Sequence, residues 1–341
     1  MITTNLYEEI LIKPVSEGAD KLLIVSGYAS SAMAFHHLEE IRKAKKSIEV
    51  ELIVGMTYKD GLSIVNHKGF QKIANEDYAG KFQCRYLTEN PPVHSKIYIW
   101  LKKGVPYKCF IGSANYSQFA FNVKPKEKKS AVKKSQRKIL QREILTKCEP
   151  QEGFKYFNEL SAETIPCNHI DVENSITIYS EKQYHQRFPV KPKVSKKDKS
   201  KPADNLFTCV DISLLMDNGD VHYHSGLNWA YRKTYTRKKL NEAYLQLKPN
   251  IYKGDFFPPK GVHFTVLTDD GKSLLCTRAQ KRYGEAIETP QNNELLGEYF
   301  RNRLGLGYGA VVKRTDLDNY GRTYVTFCQV EDETYTMDFS V

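Results

Sequence analysis

Apolar positions in the first half of the chain recur with two periods. Residues 21–26 (KLLIVS) form a short apolar run, and residues 48–54 (IEVELIV) alternate apolar with polar, as in a strand with one buried face. Residues 84–87, 96–101, 108–112 and 144–146 read as further strands. Between them, residues 32–46 space Met33, Phe35, Leu38 and Ile41 along one helix face. Residues 69–74 start a second helix, and residues 153–160 suit a third. Strands interleaved with helices predict an α/β sheet domain.

The second half changes character. Strand-like runs are separated by turn pairs at Asn218-Gly219, Asp270-Gly271 and Tyr320-Gly321. Residues 262–268 and 273–278 flank an Asp-Asp-Gly-Lys turn as a hairpin. One helix is expected at residues 294–304, with Leu295, Leu296, Tyr299, Phe300 and Leu304 on its apolar face. Asn293 is its expected N-cap and Gly305 its end. The pattern predicts a mostly-β domain with a helix covering one opening.

Composition agrees with two domains, since 341 residues exceed the roughly 100–200 of one ordinary domain. The absence of any 18-residue apolar run excludes a transmembrane helix as an expectation. The opening MITTNLYEEI lacks the pattern of a signal peptide. Seven scattered cysteines without a C-x-x-C argue against a disulfide scaffold, a zinc ribbon or a thioredoxin motif. A reduced, cytoplasmic protein is expected.

Charge adds a boundary. Lys and Arg total 51 against 40 Asp and Glu, net +11. Residues 122–138 carry net +7 and residues 186–205 net +5, so the other 304 residues sum to −1. Neither segment has apolar periodicity, and the second holds Pro189, Pro192 and Pro202, as suits an extended linker. The expected division is therefore a domain at 1–185, a linker at 186–205 and a domain at 206–341. Such runs either serve as solvated tethers or attract a polyanion through counterion release. Charge alone does not choose between nucleic acid and an acidic membrane.

The strongest chemical signal is PPVHSKIYIWLKKGVPYKCFIGSANYS. It contains His94-x-Lys96 and then Gly112-Ser113-x-Asn115. On an extended strand, residues two apart share a face, so His94 and Lys96 project together. Lysine and asparagine donate hydrogen bonds to phosphate oxygens, and histidine attacks or shuttles protons near neutral pH. This set suits phosphodiester chemistry.

These residues resemble the phospholipase D superfamily signature. Leu101 stands where the common pattern has Asp five residues after the Lys, and nucleases of that superfamily can lack the Asp. The resemblance implies a mixed sheet flanked by helices and a site that needs no metal. It also implies two histidines, one attacking phosphorus to give a phosphohistidine and the other protonating the leaving oxygen. Among nine histidines only His94 is followed by x-Lys, so the resemblance implies a homodimer that shares one active site. Lys96 and Asn115 would clamp the phosphate, Ser113 would help position it, and an acidic residue would orient His94. The best match is Glu143; the alternative is Glu127, inside the Lys-rich run.

Residues 206–341 hold 17 basic and 17 acidic residues, yet 228–239 carries five Lys/Arg without an acid and 278–282 carries three. Arginine, glutamine and asparagine read base edges in the major groove. The alternative is a solvated loop with Trp229 anchoring the core. The segments SGLNWA, FFP, TDDG, RAQ and NNELLGEYFRNRLGL resemble the B-three-type pseudobarrel of plant transcription factors, whose two arms enter the major groove. The resemblance implies DNA contacts by Asn228, Trp229, Arg232, Arg278, Gln280, Lys281 and Arg282.

Together the halves resemble restriction endonucleases of the NgoFVII/NgoAVII type and, more distantly, BfiI. That resemblance implies a site-specific endonuclease acting on double-stranded DNA, with a companion methyltransferase. It also raises a separate helicase-like ATPase subunit. The chain has no G-x-x-x-x-G-K-[ST] loop, so any ATP would act through that partner. The rival readings are a lipid phosphodiesterase and a DNA-binding protein with an inactive nuclease domain.

Overall fold

The computed structural model describes residues 1–123, 141–188, 209–232, 239–280 and 285–341. Residues 1–123 and 141–180 form one compact unit, and the described residues from Glu181 onward form another. Glu127, Lys281, Arg282 and most of the two basic segments lie outside the described residues.

The first unit holds β1 (Lys21–Ser26), β2 (Glu49–Val54), β3 (Leu62–Ser63), β4 (Phe82–Leu87), β5 (Lys96–Lys102), β6 (Val105–Gly112), β7 (Leu145–Cys148), β8 (Thr164–Pro166) and β9 (Ile178–Tyr179). Seven of them make one sheet in the order β7-β6-β5-β1-β2-β4-β8, while β3 and β9 pair separately. β1, β2 and β4 run parallel because helices carry the chain between them. β5, β6 and β7 continue the sheet antiparallel. The β5–β6 turn needs no crossover: Lys103 and Gly104 take φ of 51° and 79°, the positive values of a tight hairpin. The sheet is therefore mixed, as the resemblance implied.

Helices cover both faces. Helix Ser31–Lys43 starts where Ser30 Oγ accepts from the Met33 N–H, and most of its residues are buried. Helix Pro150–Ser161 brings Phe157 and Leu160 onto Leu23, Val25, Ile97 and Ile99. β5 is buried on both faces over six of its seven residues, the pattern of a central strand.

The second unit contains β10 (Cys209–Ser213), β11 (Leu245–Gln246), β12 (His263–Thr268), β13 (Ser273–Ala279), β14 (Ala286–Glu288), β15 (Tyr324–Glu331) and β16 (Thr334–Asp338). They follow the order β10-β15-β16-β12-β13-β14-β11 and are antiparallel except for β12 with β16. The two end strands approach one another, so the sheet curls nearly shut. Phe257, Phe264, Phe327 and Tyr335 fill it, and helix Glu294–Arg303 presses Leu296 and Phe300 into the same core. Helix Glu181–Arg187 attaches to this unit through Tyr184 on Glu331 at 2.5 Å and His185 on the Gln329 carbonyl at 3.0 Å.

Three local expectations change. Tyr320-Gly321 is not a hairpin turn: it ends helix Arg314–Tyr320, with Gly321 at φ 93°. A glycine with positive φ serves either purpose, so the dipeptide alone is ambiguous. Asn293 precedes its helix without a side-chain capping bond. Cys209 and Cys328, opposite one another on β10 and β15, form a disulfide, which corrects the expectation of reduced cysteines throughout. Among the described residues, no helix is long and apolar enough to cross a membrane.

Candidate active site and DNA-reading face

Strand register brings the chemical residues together. Ser26 at the end of β1 pairs with Lys96 at the start of β5, and Gly112 at the end of β6 pairs with Leu145 at the start of β7. Four chain segments therefore meet at one end of the sheet: Gly27-Tyr28, His94–Lys96, Ser113–Asn115 and Glu143-Ile144. Strand ends are where backbone leaves the ladder and side chains become free for chemistry.

Lys96 is buried, at 5% exposure, and its ammonium donates to the His94 carbonyl. A buried ammonium needs such partners, because loss of water otherwise favours the neutral amine. Burial lowers its pKa, and the nearby Glu143 carboxylate opposes that shift. His94 lies just before β5 and is exposed. Its ring meets the Tyr28 ring edge-on, with centroids 5.7 Å apart and planes at 79°. Gly27 lies close beside it: a Cβ there would come within 2.9 Å of His94 Cδ2.

Asn115 is half-buried, and its Oδ1 accepts from the Tyr28 backbone N–H at 3.2 Å. That donor orients the amide, so its NH₂ is free to donate elsewhere. Ser113 is bound to the next strand: its N–H donates to the Ile144 carbonyl at 2.9 Å, and its Oγ accepts from the Ile144 N–H at 3.0 Å. The Ser113 hydroxyl proton goes to the Glu143 carboxylate. The structure thus gives Glu143 a different immediate partner from the expected one. It holds Ser113 and lies near enough to Lys96 to act on its charge, because the β6–β7 register sets Ile144, the residue after Glu143, beside Ser113. Among the described residues the His94 ring makes no hydrogen bond.

Two residues at this end carried no motif signal. Tyr28 follows β1 directly, and its hydroxyl donates to Asp60 Oδ2 at 2.6 Å. Its phenol is pushed up to about 12 by burial and then by Asp60, so it stays protonated at neutral pH. The only local cue was a Gly-aromatic pair at a strand exit.

On the second unit, the expected DNA contacts separate. Asn228 is completely buried; its amide donates to the His222 and Val312 carbonyls at 3.1 and 2.8 Å and accepts from the Val312 N–H at 2.9 Å. Arg278, at 5% exposure, donates to the Tyr252 carbonyl at 2.7 Å. Both are corrected from base readers to internal ties, because their polar groups are spent on backbone. Trp229 and Arg232 are half-buried. The Arg232 guanidinium lies 4.2 Å from the Trp229 ring centre and 3.0 Å from Glu242. Gln280, at φ 57°, donates to Glu288 at 2.8 Å. Burial pushes the Glu288 carboxyl up, and Gln280, Lys260 and Arg232 pull it back.

A mixed sheet that gathers His94, Lys96, Ser113 and Asn115 at one end, together with a nearly closed β barrel, defines the class of protein: a phospholipase-D-like domain joined to a B3-like barrel. The profile of the NgoFVII restriction endonuclease N-terminal PLD domain matches residues 4–141, and that of the NgoFVII C-terminal B3-like DNA-binding domain matches residues 204–331. The chain belongs to this restriction endonuclease family. No curated protein sequence matches it significantly. Among solved structures, it is similar to the polyphosphate kinase from Porphyromonas gingivalis (14% identity, TM-score 0.26, 46% of this chain and 20% of that one). It is also similar to NucT from Helicobacter pylori (16% identity, TM-score 0.28, 47% of this chain and 92% of that one). The chain thus spans about a fifth of the kinase's length.

Proposed function

We propose that the protein is a cytoplasmic, site-specific restriction endonuclease that hydrolyses double-stranded DNA at a metal-independent site shared by two subunits. The observation that carries this reading is the meeting of His94, Lys96, Ser113 and Asn115 at one sheet end in a chain with a single His-x-Lys. An imidazole nitrogen of His94 attacks phosphorus, and the bond to the leaving DNA oxygen breaks. The partner's His94 gives that oxygen its proton. The same partner imidazole then takes a proton from water, whose oxygen displaces His94 and leaves a DNA phosphate. Lys96 and the Asn115 NH₂ bind the non-bridging oxygens as charge develops on them. Glu143 holds Ser113 beside the phosphate and supplies countercharge to Lys96.

The C-terminal barrel selects the site. Trp229, Arg232 and Gln280 remain proposed DNA contacts, together with Lys281 and Arg282, and Arg contacts favour guanine. A companion methyltransferase protects host DNA. Any ATP requirement belongs to a separate helicase-like subunit.

The test is cleavage of a long phage DNA in excess EDTA by the wild type and His94→Ala. Discrete fragments from the wild type alone are expected, with duplex binding retained by the variant. Cutting by His94→Ala, or cutting only after magnesium is added, overturns the proposed chemistry.

A further inference from the structure

Tyr28 is the residue at the catalytic end that the sequence reading did not use. It is 44% exposed, yet it is fastened at both ends. Its hydroxyl donates to Asp60 at 2.6 Å, and its backbone N–H donates to Asn115 at 3.2 Å. An exposed tyrosine ordinarily leaves its hydroxyl in water and its ring free to turn. This one is held with its ring against the His94 ring, centroids 5.7 Å apart at 79°. His94 needs such a support, because Glu143 is engaged with Ser113 and no described residue hydrogen-bonds the imidazole. Gly27 also lies against this ring, where a Cβ would come within 2.9 Å of His94 Cδ2.

We propose that Tyr28 is the positioning residue for His94: Asp60 fixes the phenol, and the phenol ring confines the imidazole to the orientation from which it reaches phosphorus. The proposal rests on the reading of His94 as the nucleophile. Tyr28 acts through packing and not through proton transfer, since its hydroxyl keeps its proton at neutral pH and spends it on Asp60. The same residue couples the nucleophile to the phosphate clamp, because its backbone N–H sets which way the Asn115 amide faces. Misplacing a reacting group by about 1 Å can cost roughly 100-fold in rate. Freeing the His94 ring is therefore expected to cost roughly 10- to 100-fold.

The full-length protein is compared with Tyr28→Leu, Tyr28→Phe, Asp60→Asn and His94→Ala in two measurements. The first is single-turnover DNA cleavage across pH, alongside melting temperature and duplex affinity. The second is the NMR signal of the His94 ring, assigned by its loss in His94→Ala, which reads the ring current of Tyr28 without turnover. Tyr28→Leu is expected to cut 10- to 100-fold more slowly with melting and duplex affinity unchanged, and its His94 signal moves to the position of a free histidine. Tyr28→Phe keeps the ring and loses its tether, while Asp60→Asn keeps the ring and weakens the tether to a neutral hydrogen bond, so their rates fall between. A wild-type rate or an unmoved His94 signal in Tyr28→Leu overturns the proposal. So does a Tyr28→Phe rate as low as that of Tyr28→Leu, which would move the role to the hydroxyl. Cleavage by His94→Ala overturns the underlying reading instead. If Tyr28→Leu does not fold, the Phe and Asn variants decide: a His94 signal identical to wild type in both, with unchanged rates, overturns the tethering.

Discussion

Burial decides what Lys96 can do. With little water around it, the ammonium depends on the His94 carbonyl and the Glu143 carboxylate to stay charged. The proposed phosphate clamp must be protonated, so activity is expected below the Lys96 pKa and is expected to be lost above it. Glu143→Gln removes the charge that opposes the burial effect and lowers that pKa further. The alkaline limb of the pH–rate profile should therefore shift to lower pH; a limb that stays in place would show that Glu143 does not support Lys96. Asn228 teaches the complementary lesson. Asn and Arg in a basic segment look alike whether they face DNA or the interior, and only the fold reveals that Asn228 ties residues 222 and 312 together. His94 and Lys96 were legible because their chemistry is carried by neighbours in sequence.

At the scale of elements, the site depends on how closely β6 and β7 approach. A Cβ on Gly112 would meet the Ile144 carbonyl and come within 2.8 Å of Leu145 Cα, both on backbone that cannot turn aside. Gly112→Ala must push β7 away and draw Glu143 off Ser113. The expected result is a loss of stability of about 1–3 kcal/mol, as for other overpacked sites, with at least a tenfold fall in cleavage. Thermal melting and single-turnover cleavage measure the two effects, and wild-type values for both would refute the account. Element type was largely legible: β1 spans residues 21–26 as its apolar run predicts. The Gly-Ser-x-Asn turn was read as a phosphate motif, but its close approach to β7 depends on a partner strand more than thirty residues away.

For the molecule as a whole, acid stability separates from activity. His37 and His67 are buried in the first unit, and burial lowers each pKa to about 4. His37 lies between the Tyr116 hydroxyl at 2.8 Å and the Leu11 carbonyl at 3.1 Å, while His67 meets the Tyr86 hydroxyl at 3.0 Å. Unfolded histidine binds its proton near 6.5. Between pH 6.5 and 4, unfolding therefore takes up protons. Stability is complete above that window and falls as pH drops through it, by roughly 3 kcal/mol per histidine at most. The melting transition of the first unit should move down between pH 7.5 and pH 5, and by less in His67→Gln. An unchanged transition would mean that these rings are not held neutral.

The amino-acid sequence by itself determined the two-domain plan, most strands, and the motif on which the proposed phosphate chemistry rests. Each of these is written in nearby residues: an alternation, a helical stripe, a His two positions from a Lys. Only the tertiary structure decided that Glu143 bonds Ser113, that Tyr28, held by Asp60, packs on His94, that Asn228 and Arg278 are internal, and that Cys209 meets Cys328. These outcomes depend on strand register and on which side chains lose their water. Both are set by packing between residues far apart in the chain, and neither leaves a periodic mark along it.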